Sequence, residues 1–591
     1  MLQNILEHCV ANTRRELNGQ FTTPKILANI LSRISIHDYT KHCSDPCCGT
    51  GTIPHEILSL KRSFSSISTE DAVNTTWASD KYKMPLQIAN ISMTSADTIN
   101  LPNRLFQKNV FSLAPGVSVQ IVNPRDGKLE NLNVPKFGTI CSNLPFISFE
   151  NLSEDDKALI GAALPNCGLS SKSDISYYIA LHLYDLLEDD GYLGIIVSNS
   201  WLGSEAGAIF YNQIIQKFDL KQVHISGKGR WFQNADVVTT ILILQKKAGA
   251  GNNITRFFVW KKDLATIAAD SHIQDAIVNS SLTDRTIDSN ILSISEYSIQ
   301  TIQELRDMNL SYNALFHDVS WLLNLKGVLC PLQDKFKVIR GSRRGWDALF
   351  FPSKKNSIEK EFIKPALFNA RNINSLIAIP DREAFCCSKS EEELKNYPGA
   401  KRWIKRFVSI KNGKGIPIKQ VLATGRLKWY EMLPNEVVPI FTMMNPDARI
   451  FFGRFDSPSF INQRLIGLKP KDSGLDIELC HALLNSVLMK FFIEAVGFGR
   501  GLGVLDINKD SIARCHMLNP GMLSDAQKTR IKTAFQTILA KDITTVENEL
   551  ADPDWVNFNK IVLDEYGIKG YYEQIAMSLA FLRKIRSAAK D

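Results

Sequence analysis

An α/β fold built on a mostly parallel sheet is predicted for the first two fifths of this chain, with a mixed α+β half after it. Three observations carry the prediction. Between about residues 20 and 246, short apolar runs alternate with stretches at helical spacing; a glycine-rich turn stands where the first strand should end; and aromatic and basic residues mix irregularly from 330 to 520. Strands are expected at 76–80 (TWASD), 137–142 (FGTICS), 192–198 (YLGIIVS) and 237–245 (VVTTILILQ). Tyr177, Tyr178, Ala180, Leu181, Tyr184 and Leu187 recur at helical spacing, so a helix should pack on the sheet there and end at Asp189-Asp190-Gly191.

The chain has 591 residues, too many for one ordinary domain. The Gly- and Asn-containing stretch at 248–254 marks a domain edge, which divides the chain into a first domain over 1–250, a connecting segment over 251–325, a second domain over 326–520 and a helical segment over 521–591. No internal repeat stands out. A hydrophobic fraction of 44% is enough to build cores, and no run of eighteen apolar residues predicts a membrane span. The N-terminal stretch has no apolar segment ending in a small-residue cleavage site, so a cytoplasmic location is expected. Eleven cysteines without repeated CxxC spacing read as reduced thiols, and no metal site is expected. The net charge of +8 suits a polyanionic partner. Its cations gather at Arg340, Arg343 and Arg344 and again at Lys401, Arg402, Lys405, Arg406, Lys411 and Lys414, where a plain solvated surface is the competing reading.

Asp45-Pro46-Cys47-Cys48-Gly49-Thr50-Gly51 sits between the first strand and a helix whose apolar face is Ile53, Ile57 and Leu58. Glycines there allow a tight turn and close approach of a ligand to the backbone, and the helix N-terminus favours a negative group. Asp80 ends the next strand, where an acid can accept hydrogen bonds from both hydroxyls of a ribose; taken alone it is as readily a turn residue. Upstream, Thr22 or Thr23 reads as the N-cap of an amphipathic helix with Pro24 in its first turn.

GQFTTP at 19–24, DPCCGTG at 45–51 and SNLPF at 142–146, in that order and ahead of a long C-terminal region, resemble the gamma-class adenine-N6 DNA methyltransferases of restriction–modification systems. The resemblance covers residues 19 to about 246. It implies a Rossmann-like S-adenosylmethionine-dependent domain in which Thr23, Asp45, Cys47, Gly49, Gly51, Asp80 and Lys81 line the cofactor site, and a DNA target-recognition domain behind it. Where that family places an acid for the cofactor's adenine amine, this chain has Asn109, whose amide oxygen can still accept that bond, with Val110 or Phe111 as the apolar wall.

Asn143-Leu144-Pro145-Phe146 is expected to carry the chemistry. The N6 lone pair of adenine is delocalised into the ring, so the amine must be drawn toward tetrahedral geometry. Two acceptors aimed at its hydrogens do this, the Asn143 side-chain oxygen and the Leu144 carbonyl. Pro145 restricts the backbone, and Phe146 stacks on the base after its rotation out of the duplex. The family has proline at the second position, where only the carbonyl is needed. Phe232, with Trp231 beside it, aligns with the aromatic that closes on the extruded base from its other face, although core packing explains either ring as well.

In the C-terminal half the resemblance is looser. Arg340, Arg343 and Arg344 between glycines read as a loop able to grip phosphates or read guanine, and Lys428 with Trp429 interleaves charge and aromatic surface. The region 482–494 reads as a core helix. Pro380-Asp381 with Glu393-Leu394-Lys395 fits the loose acid-acid-lysine pattern of nucleases, but 390–397 reads as a capped, solvated helix. The expected partner is double-stranded DNA, bound by a monomer, with any restriction endonuclease a separate chain. A catalytically silent recognition subunit, or methylation of an RNA or protein amine, are the alternatives.

Overall fold

The computed structural model describes residues 21–232, 237–247, 254–283, 289–341, 344–353, 355–423, 427–433, 437–500 and 504–588. Its first sheet has nine strands: β1 (Cys43–Asp45), β2 (Thr76–Asp80), β3 (Arg104–Gln107), β4 (Phe137–Asn143), β5 (Leu187–Ser198), β6 (Phe218–Ser226), β7 (Thr239–Lys246), β8 (Ile254–Trp260) and β9 (Leu292–Ser298). Their order is β9-β8-β6-β7-β5-β4-β1-β2-β3. From β3 through β5 all neighbours run parallel, and β7 then inserts antiparallel to both β5 and β6. Parallel strands are covered on both faces, which is why β1, β2 and β4 are buried almost without alternation. Helices α1 (Lys25–Ser35), α2 (Thr52–Arg62), α3 (Lys83–Met93) and α4 (Glu154–Ala163) flank this half of the sheet.

Two expectations are corrected. The break near residue 250 is not a domain edge: β8 pairs parallel with β6, and β9 pairs antiparallel with β8, so the sheet continues to residue 298. The apolar run Phe257-Phe258-Val259-Trp260 buries completely in that position, which a connecting segment could not do. Of the stretch 248–254, residues 248–253 lie outside the described residues. The helix over Tyr177 also stops early. It spans Ile175–His182, passes through a 3-10 turn at Leu183–Leu186, and β5 begins at Leu187. Asp189-Asp190-Gly191 lies inside that strand, where the register slips against β4 and Asp190 takes the left-handed φ of 61°.

A second sheet follows, formed by β10 (Phe336–Arg340), β11 (Ile363–Leu367), β12 (Arg382–Phe385), β13 (Val438–Met443), β14 (Gly453–Ile461) and β15 (Leu465–Pro470) in the order β10-β15-β13-β14-β11-β12. The expected core helix at 482–494 is two helices, Ile477–Leu484 and Val487–Val496, bent by 64°. Asn485 makes the corner: its amide bonds the Phe452 backbone at both N–H and C=O, and Ser486 caps the second helix. Both helices are buried, and among the described residues no single helix is long and apolar enough to cross a membrane. Helices over 525–587 complete the chain, the first opened by a Ser524–Gln527 capping box. One hydrophobic core runs from Trp77 through the second sheet to Leu582, so the two halves share their packing.

Candidate active site

The strand order reverses between β1 and β4, and ligands of open α/β sheets bind beyond the carboxyl ends of strands at such a point. Asp45 ends β1, Asp80 ends β2 and Asn143 ends β4. Asp45 is buried; its Oδ1 accepts from the Ser142 hydroxyl (2.7 Å) and the Cys47 N–H (3.1 Å). Burial nevertheless pushes its carboxyl up to about 7, and among the described residues it has no ion-pair partner. Asp80 accepts from the Gly49 N–H (2.9 Å) and the Tyr82 N–H (2.8 Å), and burial raises its pKa as well.

The two glycines of the turn do different things. Both have left-handed φ, 50° at Gly49 and 86° at Gly51. A Cβ on Gly51 would lie 2.7 Å from the Ala89 Cα of helix α3, so this glycine lets α2 and α3 touch. A Cβ on Gly49 would meet nothing within 4 Å, so this glycine, whose N–H bonds Asp80, borders open space. Thr22 and Thr23 do not cap α1: the N-cap residue is Pro24, which has no side-chain acceptor, and the N–H groups of the first turn have no side-chain cap. Thr23 is buried, and Cys47, half-buried, is held as a neutral thiol by burial and the two nearby acids. A zwitterionic amino acid joined to a ribose fits these groups: a buried carboxyl without an ion-pair partner for its ammonium, an uncapped helix start for its carboxylate, and Asp80 for the hydroxyls. S-adenosylmethionine has that form.

Asn109 is engaged at both ends. Its Oδ1 accepts from the Phe111 N–H (3.1 Å) and its Nδ2 donates to Asp156 (3.2 Å). Val110 and Phe111 behind it are buried, and the His182 ring bonds the Val110 and Leu113 carbonyls. Lys81 grips both carboxylate oxygens of Asp156 at 2.8 and 2.7 Å. No motif signals Asp156; it follows Phe146 by ten residues in a segment that reads only as a helix start.

At the end of β4, Asn143 donates from Nδ2 to the Phe21 carbonyl (3.1 Å), while its Oδ1 is buried without a partner. Residue 21 belongs to the GQFTTP motif, so that motif orients the Asn143 amide, a link that sequence spacing does not show. The Leu144 N–H donates to the Ile196 carbonyl of β5 (3.1 Å), and its side chain, 1% exposed, lies in the core. The segment beyond is tied down by bonds between Ile175 and Ile147 (2.8 Å) and between Phe149 and Ser173 (3.0 Å). Phe146 is half-buried, stacked on Phe21 with ring centres 6.0 Å apart, and meets Phe232 edge to face at 6.4 Å. Phe232 is buried and Trp231 packs on Trp260, so no slot for a base stands open between Phe146 and Phe232; one ring has to move for both to stack on it.

The second half departs from expectation. Arg344 donates to the carbonyls of Glu431 (2.8 Å), Lys428 (3.1 Å) and Leu422 (3.4 Å) and covers the Phe350 ring, so it holds irregular backbone together instead of facing a partner. Trp429 is buried in the local core, and Lys428 bonds the Ser388 carbonyl (2.9 Å). Arg340 is exposed and donates to Gln463 O (2.8 Å); Arg343 lies outside the described residues. Lys401, Arg402, Lys405 and Arg406 lie on the helix Pro398–Lys405 and the turn after it, and Arg402 and Arg406, with Lys355 and Trp403, border a surface recess of about 400 Å³. Glu393 shares reciprocal capping bonds with Ser390, and Asp381 accepts from the Phe368 N–H. Among the described residues no cluster of acids, cysteines or histidines could hold a metal.

Residues 3–291 match the family model of the N-6 DNA methylases. No curated protein matches the chain. Among solved structures, the type IIL restriction–modification enzyme MmeI, determined in complex with DNA, aligns over 93% of this chain and 73% of its own with 14% identity and a TM-score of 0.53. The type IIG restriction endonuclease BpuSI aligns over 96% of this chain, which spans 66% of that enzyme's length, with 15% identity and a TM-score of 0.44. The methyltransferase subunit of a type I restriction–modification system from Streptococcus thermophilus covers 48% of this chain and 57% of its own with 17% identity and a TM-score of 0.36. At these identities the MmeI likeness bears on fold alone.

Proposed function

We propose, from the membership of residues 3–291 in the N-6 DNA methylase family, that this chain methylates N6 of an adenine rotated out of duplex DNA. S-adenosylmethionine supplies the methyl group on its sulfonium. The observation that carries the reading is the Asn143 Oδ1, a buried acceptor without a partner at the carboxyl end of β4. Leaving such an atom unpaired costs about 1–3 kcal/mol, and an amine hydrogen recovers it.

The rest of the arrangement supports the same chemistry. Phe21 takes up the amide nitrogen and leaves the oxygen as the spare acceptor. The Leu144 carbonyl is the second acceptor, and the residue is anchored from its other side by the bond from its N–H to Ile196. Polarised by the two acceptors, N6 would serve as nucleophile toward the methyl group that the bound cofactor would supply, with the thioether as leaving group and the surplus N6 proton passing to solvent. Because the Leu144 side chain is turned into the core, leucine in place of proline puts no bulk in the site, which favours a competent enzyme over a silent subunit. The basic helix Pro398–Lys405, with Arg340, suits a duplex backbone. We place the chain in a restriction–modification setting, acting on DNA as a monomer.

Expression in a methylation-free host, followed by sequencing that detects modified adenines, tests the proposal. One recurring modified motif is the expected result; unmodified DNA from a host holding soluble, cofactor-binding protein would overturn it.

A further inference from the structure

We infer that the acid meeting the cofactor's adenine amine is Asp156, delivered by helix α4, and not a group at the end of β3. The inference rests on the cofactor reading above. With the ribose on Asp80, the base lies toward β3, against Val110 and beside Asn109. An exocyclic amine there needs an acceptor. Asn109 is a poor one, since its oxygen already takes the Phe111 N–H and its nitrogen points at Asp156.

The carboxylate one hydrogen bond further on is better suited. Asp156 is mostly enclosed, its side chain 15% exposed, and it is fixed on its helix because Ser153 caps its N–H and bonds its Oδ2. Lys81 is 44% exposed and holds both oxygens at once. Surrender of one of those two contacts leaves the ion pair intact and an anionic acceptor open. A charged acceptor binds an N–H about twice as strongly as an amide oxygen does. Ser153 and Asp156 thus bring the chain that leaves the catalytic tetrapeptide back to the cofactor's far end.

Binding by calorimetry of S-adenosylhomocysteine and of its 6-oxo counterpart, S-inosylhomocysteine, tests this without any turnover. The wild-type protein should prefer the amine ligand by about ten- to a hundredfold. Asp156→Ala should lose that preference, binding both ligands alike, and Asp156→Asn should keep part of it, while Asn109→Ala should retain it. Equal weakening of both ligands by Asp156→Ala, with the preference intact, would overturn the assignment and leave Asp156 a structural latch. Loss of the preference in Asn109→Ala alone would return the role to β3. A wild-type protein that binds neither ligand would defeat the cofactor reading itself.

Discussion

Asn143→Ala removes the unpaired acceptor while leaving Asp45, Asp80 and the glycine turn in place, so methyl transfer should fall by about 10²–10³-fold or more with cofactor affinity nearly unchanged. Single-turnover transfer to hemimethylated and unmethylated duplexes, beside calorimetry, separates the two effects; collapse of binding would mean that Asn143 belongs to the cofactor site. Asp45 makes a prediction of opposite sign in two experiments. Its folded pKa of about 7 lies above the ordinary 3.8, so its neutral form is the one the fold favours. Its contribution to stability is complete below about pH 4 and is lost as pH rises toward 7. Melting of the cofactor-free protein should therefore show a loss between about pH 4 and pH 7 that Asp45→Asn abolishes. Binding of the ammonium needs the ionised carboxylate, so cofactor affinity should weaken below pH 7 in the wild type and be weak and pH-insensitive in Asp45→Asn.

At the scale of elements, the turn from β1 to α2 shows why two glycines separated by one residue are not equivalent. Gly51→Ala drives a methyl into the backbone of α3 at a left-handed φ, and a loss of about 2–4 kcal/mol in chemical denaturation is expected. Gly49→Ala carries the φ cost alone, about 1–2 kcal/mol, but places its methyl in the open space and should lose cofactor binding out of proportion to stability. Equal effects on both properties in the two variants would show that the space beside Gly49 is not the ligand's. The glycines and the tetrapeptide were legible from sequence because their chemistry is local. The Asp189-Asp190-Gly191 turn was not, since a polar cluster with glycine signals a helix end and a strand bulge alike, and only pairing with β4 decides between them.

Across the whole molecule, the C-terminal helix binds the halves together. Arg583 and Arg586 of the helix Tyr572–Ser587 pair with Glu494, all three being buried, and the Ala588 carbonyl accepts from the Gly229 N–H just ahead of Trp231 and Phe232. Glu494→Gln removes the buried carboxylate that pairs with Arg586, while Arg583 keeps Glu547, and should cost about 3 kcal/mol. Because the core is continuous, unfolding should remain one transition by far-ultraviolet circular dichroism and tryptophan fluorescence; two separated transitions would show that the halves fold independently.

By itself the sequence determined the strands β2 and β4, the glycine turn that ends the first strand, and the order of the three motifs, because each is encoded by contiguous residues: apolar runs, glycines at a turn, an amide before proline. Tertiary structure alone decided which polar groups are spent and which are spare. Arg344 and Trp429 have the composition of a nucleic-acid surface, yet backbone carbonyls take the one and the core takes the other. Asn143 and Phe21 are 122 positions apart, and Asn109 and Asp156 are 47 apart. A hydrogen bond between distant segments leaves no periodicity in either one, so no reading of spacing could have shown that one amide keeps a free oxygen and the other does not.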